Sequence, residues 1–165
     1  MFGLEVETLA RLVLDEARAR SLRLVTAESC TGGLVAAALT AVAGSSDVFE
    51  RGFVTYSNRA KSELLGVPGD LIADVGAVSE PVARAMAEGA LEAASAHVSV
   101  AVTGVAGPGG GTPLKPVGLV HFATARSNGR IEHRAERFGD IGRDEVRAAS
   151  LIVALEMLRE RLGAV

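Results

Sequence analysis

The chain has 165 residues, of which 48% are hydrophobic and 22% are charged, and its formal net charge is −3. This length and balance predict one globular domain with a substantial core and exclude a disordered chain. The acidic charge and the dispersed arginines argue against nucleic acid as the main partner, because a nucleic-acid binder needs a clustered positive field. Cys30 is the only cysteine, so no intramolecular disulfide can form, which fits a reducing compartment.

Neither the N-terminus nor the longest uncharged stretches of the sequence predict export or membrane insertion. The N-terminus, MFGLEVETLARLV, carries acids where a signal peptide carries bases. The two longest stretches without charged residues, 93–114 and 29–46, are interrupted by glycine, proline or polar residues, so neither predicts a membrane span. We therefore expect a soluble cytoplasmic protein with no membrane partner.

The first third of the chain alternates between helical and extended patterns. Residues 4–20 place leucine, valine and alanine near helical spacing, and residues 22–27 (LRLVTA) predict a strand. A second helix is expected over 32–42, where the small polar surface indicates burial. Residues 48–56 (VFERGFVTY) are β-branched and aromatic, which favours a second strand.

The remaining elements are marked by helix caps and turn residues. They are a helix from Ser57 through 64 that ends at Gly66 and Pro68, a helix from Ser79 and Pro81 to about 95, strands at 97–104, 117–125 and 130–138, and a helix from about 144. Asn128-Gly129 is a strong hairpin signal between the last two strands, so at least one strand is antiparallel. The alternation predicts a mixed sheet covered by helices on both sides.

The stretch TAESCTGG joins the first predicted strand to the second helix. Ligands of open α/β sheets bind beyond the carboxyl ends of strands, beside helix N-termini whose free N–H groups favour anions. Gly32 and Gly33 would let a ligand approach the backbone, and Ser29 and Cys30 are both candidate nucleophiles. The alternative is that Ser29 or Thr31 only caps the helix.

The stretch TYSNRAK is a second junction between a strand and a helix. Lys61 lies near the first turn of that helix, where a cation opposes the macrodipole, so we expect it to face a negative group or to be partly desolvated. A solvated lysine beside a polar cap is the alternative. Serine–lysine pairs are a variant of triad chemistry, so Lys61 is a candidate base for Ser29 if burial lowers its pKa. Ser57 is a further candidate nucleophile, four residues before Lys61.

The stretch TGVAGPGGGTPLKPVG holds six glycines and three prolines after a predicted buried strand. It lacks the Gly-Lys-Ser/Thr of a Walker loop, and Thr112 stands where the dinucleotide fingerprint needs its third glycine. It can form a backbone nest for a phosphate or sugar, whereas a plain long turn is the alternative. The three histidines show no metal-ligand spacing, and we expect them to be structural or exposed: His97, His121 and His133.

Four stretches together resemble the CinA C-terminal domain family of competence/damage-inducible proteins. They are AESCTGG, GSSDVFERGFVTYSNRAKSELLGV, GAVSEPVARAMAEGA and TGVAGPGGGTPLKPVG, and the resemblance covers about residues 5–160. It implies a three-layer α/β/α sandwich with a mixed, mostly parallel sheet. It also implies a single domain over 1–165, without the N-terminal domain resembling molybdopterin-binding proteins that some members carry.

Members of this family act as nicotinamide-nucleotide amidohydrolases, so the resemblance implies hydrolysis of nicotinamide mononucleotide to nicotinate mononucleotide and ammonia, with no cofactor and no metal. Ser29 matches the family nucleophile, Lys61 the base, and Tyr56 the tyrosine of the same motif. The residues expected to bind substrate are Glu28, Thr31, Gly32, Gly33, Ser57, Asn58, Thr103, Gly104, Gly107, Gly109, Gly110, Gly111, Arg143 and Arg147.

The segment GDIGRDEVR departs from the family pattern Gly-Asp-Arg-x-x-x-Arg, because Ile141 and Gly142 stand between Asp140 and Arg143. Either Arg143 or Arg147 is therefore a candidate for the substrate phosphate.

The expected chemistry is acyl transfer to Ser29, with the oxyanion held by backbone N–H groups at the start of the second helix. Two other classes of function stay open. One is a nucleotide-binding module without catalysis, in which Lys61 only contacts phosphate, and the other is a competence or DNA-damage interaction protein, which the acidic charge disfavours. The expected partner is a small-molecule nucleotide. The apolar last helix and the alanine-rich helices favour a homo-oligomer, a dimer being the simplest case.

Overall fold

The computed structural model describes residues 1–163 of the chain. Within that range the helices are α1 (Leu4–Ala19), α2 (Leu34–Thr40), α3 (Asn58–Leu65), α4 (Gly69–Val75), α5 (Glu80–Ala93) and α6 (Arg143–Gly163), with a 3-10 turn at Ser45–Asp47. The strands are β1 (Leu24–Glu28), β2 (Phe49–Val54), β3 (Val98–Gly104), β4 (Leu119–Arg126) and β5 (Ile131–Arg137). In residues 1–163 we find no helix with the length and apolar character that crossing a membrane requires.

The five strands form one sheet in the order β2-β1-β3-β4-β5. β1 pairs in parallel with β2 and β3, whereas β4 is antiparallel to both β3 and β5. Four of the five strands therefore run in the same direction, which confirms the mixed, mostly parallel sheet. The predicted hairpin is also confirmed, with Gly129 at φ 86° in the turn between β4 and β5.

Helices cover both faces of the sheet, which confirms the three-layer arrangement. α1, α2 and α6 pack on one face, and α3, α4 and α5 pack on the other. β3 shows how one strand serves both layers, because successive side chains point to opposite faces. Val100 and Val102 belong to the apolar cluster under α1 and α6, while Ala101 belongs to the cluster under α5.

Two helices differ from the sequence-based expectation. α2 begins at Leu34 rather than near 32, because Gly32 and Gly33 adopt left-handed φ angles of 58° and 103° that end any continuous helix before them. It is buried along one face only, with Ala37 exposed. α4 was not predicted, since its seven residues contain a single buried position, Ile72, too few to give a helical period.

The carboxyl ends of the three parallel strands meet at one edge of the sheet. Glu28, the last residue of β1, is aligned with Val54 on β2 and with Val102 on β3. The residues that follow each strand therefore lie side by side, as the topology of open α/β sheets requires. This edge is where the three stretches TAESCTGG, TYSNRAK and TGVAGPGGG come together.

Candidate active site

A cleft of about 310 Å³ opens at this edge of the sheet. It is lined by Ser29, Cys30, Tyr56, Asn58, Lys61, Ala77, Val78, Thr103, Gly104, Val105, Ala106, Gly107, Gly109, Gly110 and Arg143. A larger, shallower groove of about 600 Å³ lies on the other side of the glycine loop, which joins β3 to β4 (residues 105–118). Gly111, Arg137 and Asp140 are among the residues that line this groove. That groove contains neither Ser29 nor Lys61, so the smaller cleft is the candidate site.

Ser29 and Lys61 meet at the floor of the cleft, with Lys61 Nζ 3.0 Å from Ser29 Oγ. Both side chains are buried, at 8% and 1% relative exposure. The local sequence explains the geometry. Ser57 caps α3 by accepting a hydrogen bond from Ala60 N–H at 3.0 Å, which fixes the helix start as predicted. Helical side chains lean toward the N-terminus, so Lys61 points back to the strand ends.

The environment of Lys61 favours its neutral form. Burial lowers the pKa of this amine below its ordinary value, because water no longer solvates the ammonium. Its other hydrogen bonds go to neutral acceptors, the Thr55 carbonyl at 2.9 Å and the Tyr56 carbonyl at 3.4 Å. When the amine is neutral, these carbonyls take its N–H groups and leave the lone pair for the proton of Ser29.

Glu28 supports the turn that carries Ser29 and does not line the cleft. Its fully buried carboxylate accepts hydrogen bonds from Val35 N–H at 2.9 Å and Ala36 N–H at 3.1 Å, which caps α2. The alternative in which Ser29 or Thr31 caps this helix is therefore wrong. Glu28 already engages the N–H groups of Val35 and Ala36, so an oxyanion held at the start of this helix would need N–H groups of the preceding turn.

Two other backbone N–H groups lie on the turn beside Ser29. Among residues 1–163, no backbone carbonyl accepts a hydrogen bond from the N–H groups of Cys30 and Thr31. Arg147 fixes the turn that carries them, because its Nε donates to the Cys30 carbonyl at 3.1 Å and its Nη2 to the Thr31 carbonyl at 3.3 Å. A Cβ on Gly32 would lie 3.3 Å from that Nη2, so the glycine admits the arginine. These two N–H groups are the candidate oxyanion donors.

The rival nucleophiles are poorly placed. Burial raises the pKa of the Cys30 thiol to about 11, so the thiolate is scarce near neutral pH although Cys30 lines the cleft. The hydroxyl of Ser57 is engaged as the cap of α3, is exposed, and lies outside the cleft. Ser29 is thus the hydroxyl that lies within reach of Lys61.

Arg143 and Tyr56 lie at the mouth of the cleft. Arg143 Nη2 donates to the Tyr56 hydroxyl at 2.8 Å, and its Nη1 donates to the Gly107 carbonyl at 2.8 Å. Tyr56 is 60% exposed and contacts Lys61 through its carbonyl rather than its hydroxyl. Of the two candidate arginines, Arg143 faces the cleft, whereas Arg147 is engaged with the turn after Ser29.

The glycine loop forms one wall of the cleft. Within the described chain, no residue accepts a hydrogen bond from the backbone N–H groups of Ala106, Gly107, Gly109, Gly110 and Gly111. Gly104 is held tightly at the end of β3, where a Cβ would lie 2.7 Å from Val120 Cγ2. Gly111 lines the neighbouring groove instead of the cleft. Gly33 also stays outside the cleft, on the turn before α2.

The opposite wall was missed by the sequence analysis. Ala77 and Val78, between α4 and α5, line the cleft, and the Thr103 hydroxyl donates to the Ala77 carbonyl at 3.0 Å. Small apolar residues carry no chemical signature, so only their place in the stretch GAVSEPVARAMAEGA could have indicated them. The histidines lie elsewhere: His97 Nδ1 accepts from Arg23 N–H at 2.9 Å, while the rings of His121 and His133 stack with centroids 5.1 Å apart.

Comparison with known sequences identifies close relatives. The sequence model of one protein family, described as the CinA C-terminal domain, matches residues 6–162. A CinA-like protein from Synechococcus sp. (strain RCC307) is 53% identical over 162 residues, which cover 98% of this chain and 39% of that protein. A putative competence-damage inducible protein from Symbiobacterium thermophilum is 51% identical, with 98% and 40% covered. The chain thus spans about two fifths of the length of the curated relatives it matches.

Solved structures give the same result for the fold. The chain aligns with the crystal structure of competence/damage inducible protein CihA from Agrobacterium tumefaciens at a TM-score of 0.96 and 52% identity, over 99% of each chain. It aligns with a CinA superfamily protein from Klebsiella pneumoniae at a TM-score of 0.90 and 39% identity, over 95% of this chain and 97% of the other.

Proposed function

The chain belongs to the CinA C-terminal domain family, and from that premise we propose that it hydrolyses nicotinamide mononucleotide to nicotinate mononucleotide and ammonia. The observation that carries the proposal is the 3.0 Å contact between Lys61 Nζ and Ser29 Oγ at the floor of an open cleft. A buried amine without a carboxylate partner is costly to keep charged, and such perturbed groups cluster at catalytic sites. The choice of substrate in this proposal rests on the resemblance to nicotinamide-nucleotide amidohydrolases.

The first half of the reaction forms an ester on Ser29. Lys61, as a neutral amine, takes the hydroxyl proton of Ser29, and the oxygen attacks the carboxamide carbon of the substrate. The N–H groups of Cys30 and Thr31 hold the resulting oxyanion, and each such donor typically contributes about 2.7–4 kcal/mol to transition-state stabilisation. Lys61 then returns the proton to the amide nitrogen, the carbon–nitrogen bond breaks, and ammonia leaves.

The second half releases the acid. A water molecule gives a proton to Lys61 and attacks the ester carbonyl, which the same N–H groups polarise. The carbon–oxygen bond to Ser29 breaks, the carboxylic acid leaves, and Ser29 recovers its proton from Lys61. The alternative donor to the departing nitrogen is the hydroxyl of Tyr56, which contacts Arg143 at the mouth of the cleft and would have to turn inward to reach that nitrogen.

The substrate phosphate is assigned to the outer part of the cleft. Arg143 reaches the cleft from the start of α6, and a guanidinium suits bidentate contact with phosphate. The unpaired N–H groups of the glycine loop supply further donors of the kind found in anion-binding nests. Bound phosphate would replace the Tyr56 hydroxyl and the Gly107 carbonyl as partner of Arg143.

Incubation with nicotinamide mononucleotide, followed by ammonia assay and product analysis, tests the proposal. The unmodified protein is expected to release ammonia and nicotinate mononucleotide in equal amounts, and Ser29→Ala is expected to lose about 10³-fold or more in turnover. Ser62→Ala, on the helix of Lys61 but outside the cleft, is the matched control and keeps full turnover. Near-normal turnover in Ser29→Ala would refute the nucleophile, and binding without ammonia release would favour a non-catalytic nucleotide module.

A further inference from the structure

A second lysine ties the glycine loop to the opposite wall of the cleft. Lys115 Nζ donates a hydrogen bond to the carbonyl of Val75, the last residue of α4. The lysine sits in a closed turn, in which Thr112 N–H donates to the Lys115 carbonyl at 2.9 Å and Lys115 N–H donates to the Thr112 hydroxyl at 3.0 Å. It does not line the cleft and has no part in the chemistry proposed above.

The chemistry of this contact favours a lysine. The carbonyls at the C-terminus of a helix carry partial negative charge and lack partners within the helix, so they attract a cation. Gly76 leaves room for the ammonium, since its φ is 80° and a Cβ there would lie 2.5 Å from Lys115 Nζ. Lys115 and Lys61 are the only lysines among 17 basic residues of the chain. An ammonium is compact, whereas a guanidinium is a broad planar fork that fits such a narrow approach less well.

Two bonds join the glycine loop to the wall formed by Ala77 and Val78. At the start of the loop, the Thr103 hydroxyl donates to the Ala77 carbonyl. At its end, Lys115 reaches the Val75 carbonyl, two residues before Ala77. Between these points, no backbone carbonyl of residues 1–163 accepts a hydrogen bond from the N–H groups of Ala106 to Gly111. Pro108, within this range, has no N–H group. Besides the contacts at its two ends, the middle of the loop is held by Arg143, whose Nη1 donates to the Gly107 carbonyl at 2.8 Å, and not by hydrogen bonds from its own N–H groups.

We propose that Lys115 is a positioning residue that holds the glycine loop at a fixed distance from the Ala77–Val78 wall and thereby sets the substrate affinity of the cleft. The kinetic part of this inference rests on the proposed function. Ser29 and Lys61 come from the β1–α2 and β2–α3 junctions, outside the segments that Lys115 joins. Releasing the loop consequently raises the entropy lost when substrate binds and leaves the reacting groups in place.

The test compares Lys115→Met with Arg20→Met. Arg20 makes the same kind of contact, from a cation to a carbonyl near the end of a helix, where its Nη1 donates to Glu16 O at 3.1 Å on α1. For Lys115→Met we expect KM for nicotinamide mononucleotide to rise about tenfold with kcat within about twofold of normal. Lys115→Arg keeps the charge and a hydrogen-bond donor, so its KM is expected to lie between that of the unmodified protein and that of Lys115→Met. Arg20→Met is expected to leave both constants unchanged.

Amide hydrogen exchange on the substrate-free protein provides the second arm. Lys115→Met is expected to speed exchange in residues 76–78 and 106–114 and to leave α1 and α6 as protected as before. Unchanged exchange in both segments would overturn the tether. Faster exchange with an unchanged KM, or a loss confined to kcat, would overturn its role in affinity. If the unmodified protein releases no ammonia, the proposed function fails, and the exchange arm alone still decides whether Lys115 holds the loop.

Discussion

Lys61 and Arg161 are the two basic side chains most completely buried in the described chain, each at 1% exposure, yet their surroundings differ. Arg161 Nη1 donates to the Glu132 carboxylate at 3.1 Å, and its Nη2 donates to the Arg130 carbonyl at 3.1 Å. Lys61 meets only neutral oxygens. Burial lowers the pKa of both groups, but in Arg161 the nearby carboxylate opposes this shift, and a guanidinium keeps its proton in any case.

The comparison separates a structural cation from the base proposed for Ser29. Arg161 joins the end of α6 to β5 as a charged group with a counter-ion. Lys61 has the same burial without a counter-ion, which favours loss of its proton and leaves a lone pair facing Ser29. The presence of a carboxylate, rather than the depth of burial, distinguishes the two sites.

The largest expected effect is the loss of turnover in Lys61→Met, about 10³-fold or more. We expect its free energy of unfolding to change by less than about 1 kcal/mol, because the removed desolvation cost offsets the lost hydrogen bond to the Thr55 carbonyl. Ammonia release and urea denaturation on the same sample measure both quantities. Destabilisation by several kcal/mol would make Lys61 a structural residue and remove the contrast with Arg161.

Arg161→Met is expected to show the reverse pattern. Its free energy of unfolding should fall by about 2 kcal/mol, since the bonds from α6 to Glu132 and to the Arg130 carbonyl are lost. Turnover should stay within about twofold of normal, because Arg161 and the cleft lie at opposite ends of the strands. A tenfold fall in kcat with an intact fold would show that this cation also serves the cleft.

The pH dependence of stability sharpens the comparison further. Lys61 has a pKa lowered below its ordinary value of 10.5, so between the lowered pKa and 10.5 the unfolded chain binds more protons than the folded protein. The stability that Lys61 contributes is therefore fully present above pH 10.5 and is lost as the pH falls through this window to the lowered pKa. Urea denaturation of the unmodified protein and Lys61→Met from pH 7 to 10.5 measures the difference. Parallel curves would contradict the lowered pKa.

The smallest effect is expected for Cys30→Ala. The thiol has a pKa of about 11 because it is buried, so it is protonated near neutral pH and we expect turnover within about threefold of normal. Loss of this small buried group should lower the free energy of unfolding by about 1 kcal/mol. A hundredfold loss of activity would transfer the role of nucleophile from Ser29 to Cys30.

The fold was largely predictable from local patterns, and its failures have local causes. Long amphipathic helices such as α1 and the hairpin at Asn128-Gly129 carry strong signals, so both were predicted. α4 has seven residues with one buried position and gives no period. The sequence does not fix the start of α2, because Gly32 and Gly33 fit a helical pattern as well as the left-handed turn that they form.

The candidate site could be predicted from the sequence where reactive side chains follow the strand ends. It was less predictable where a residue's role depends on contacts with residues far away in the sequence. Ser29 and Lys61 were indicated by their junctions, although they lie 32 residues apart. The capping role of Glu28 depends on the left-handed glycine turn, which brings its carboxylate to Val35 and Ala36. The bond from Lys115 to Val75 spans 40 residues, and no local pattern encodes it.

The most direct measurement is an NMR titration of protein labelled in its lysine side chains. Lys61 and Lys115 are the only lysines, so two signals are expected, and Lys115→Arg assigns them. We predict that the pKa of Lys61 read from its signal lies below 10.5 and that the change of the signal follows the rise of kcat/KM with pH. A Lys61 signal that titrates at 10.5 or above would show that the ammonium beside Ser29 loses its proton no more easily than an exposed lysine, and would contradict its proposed role as the base.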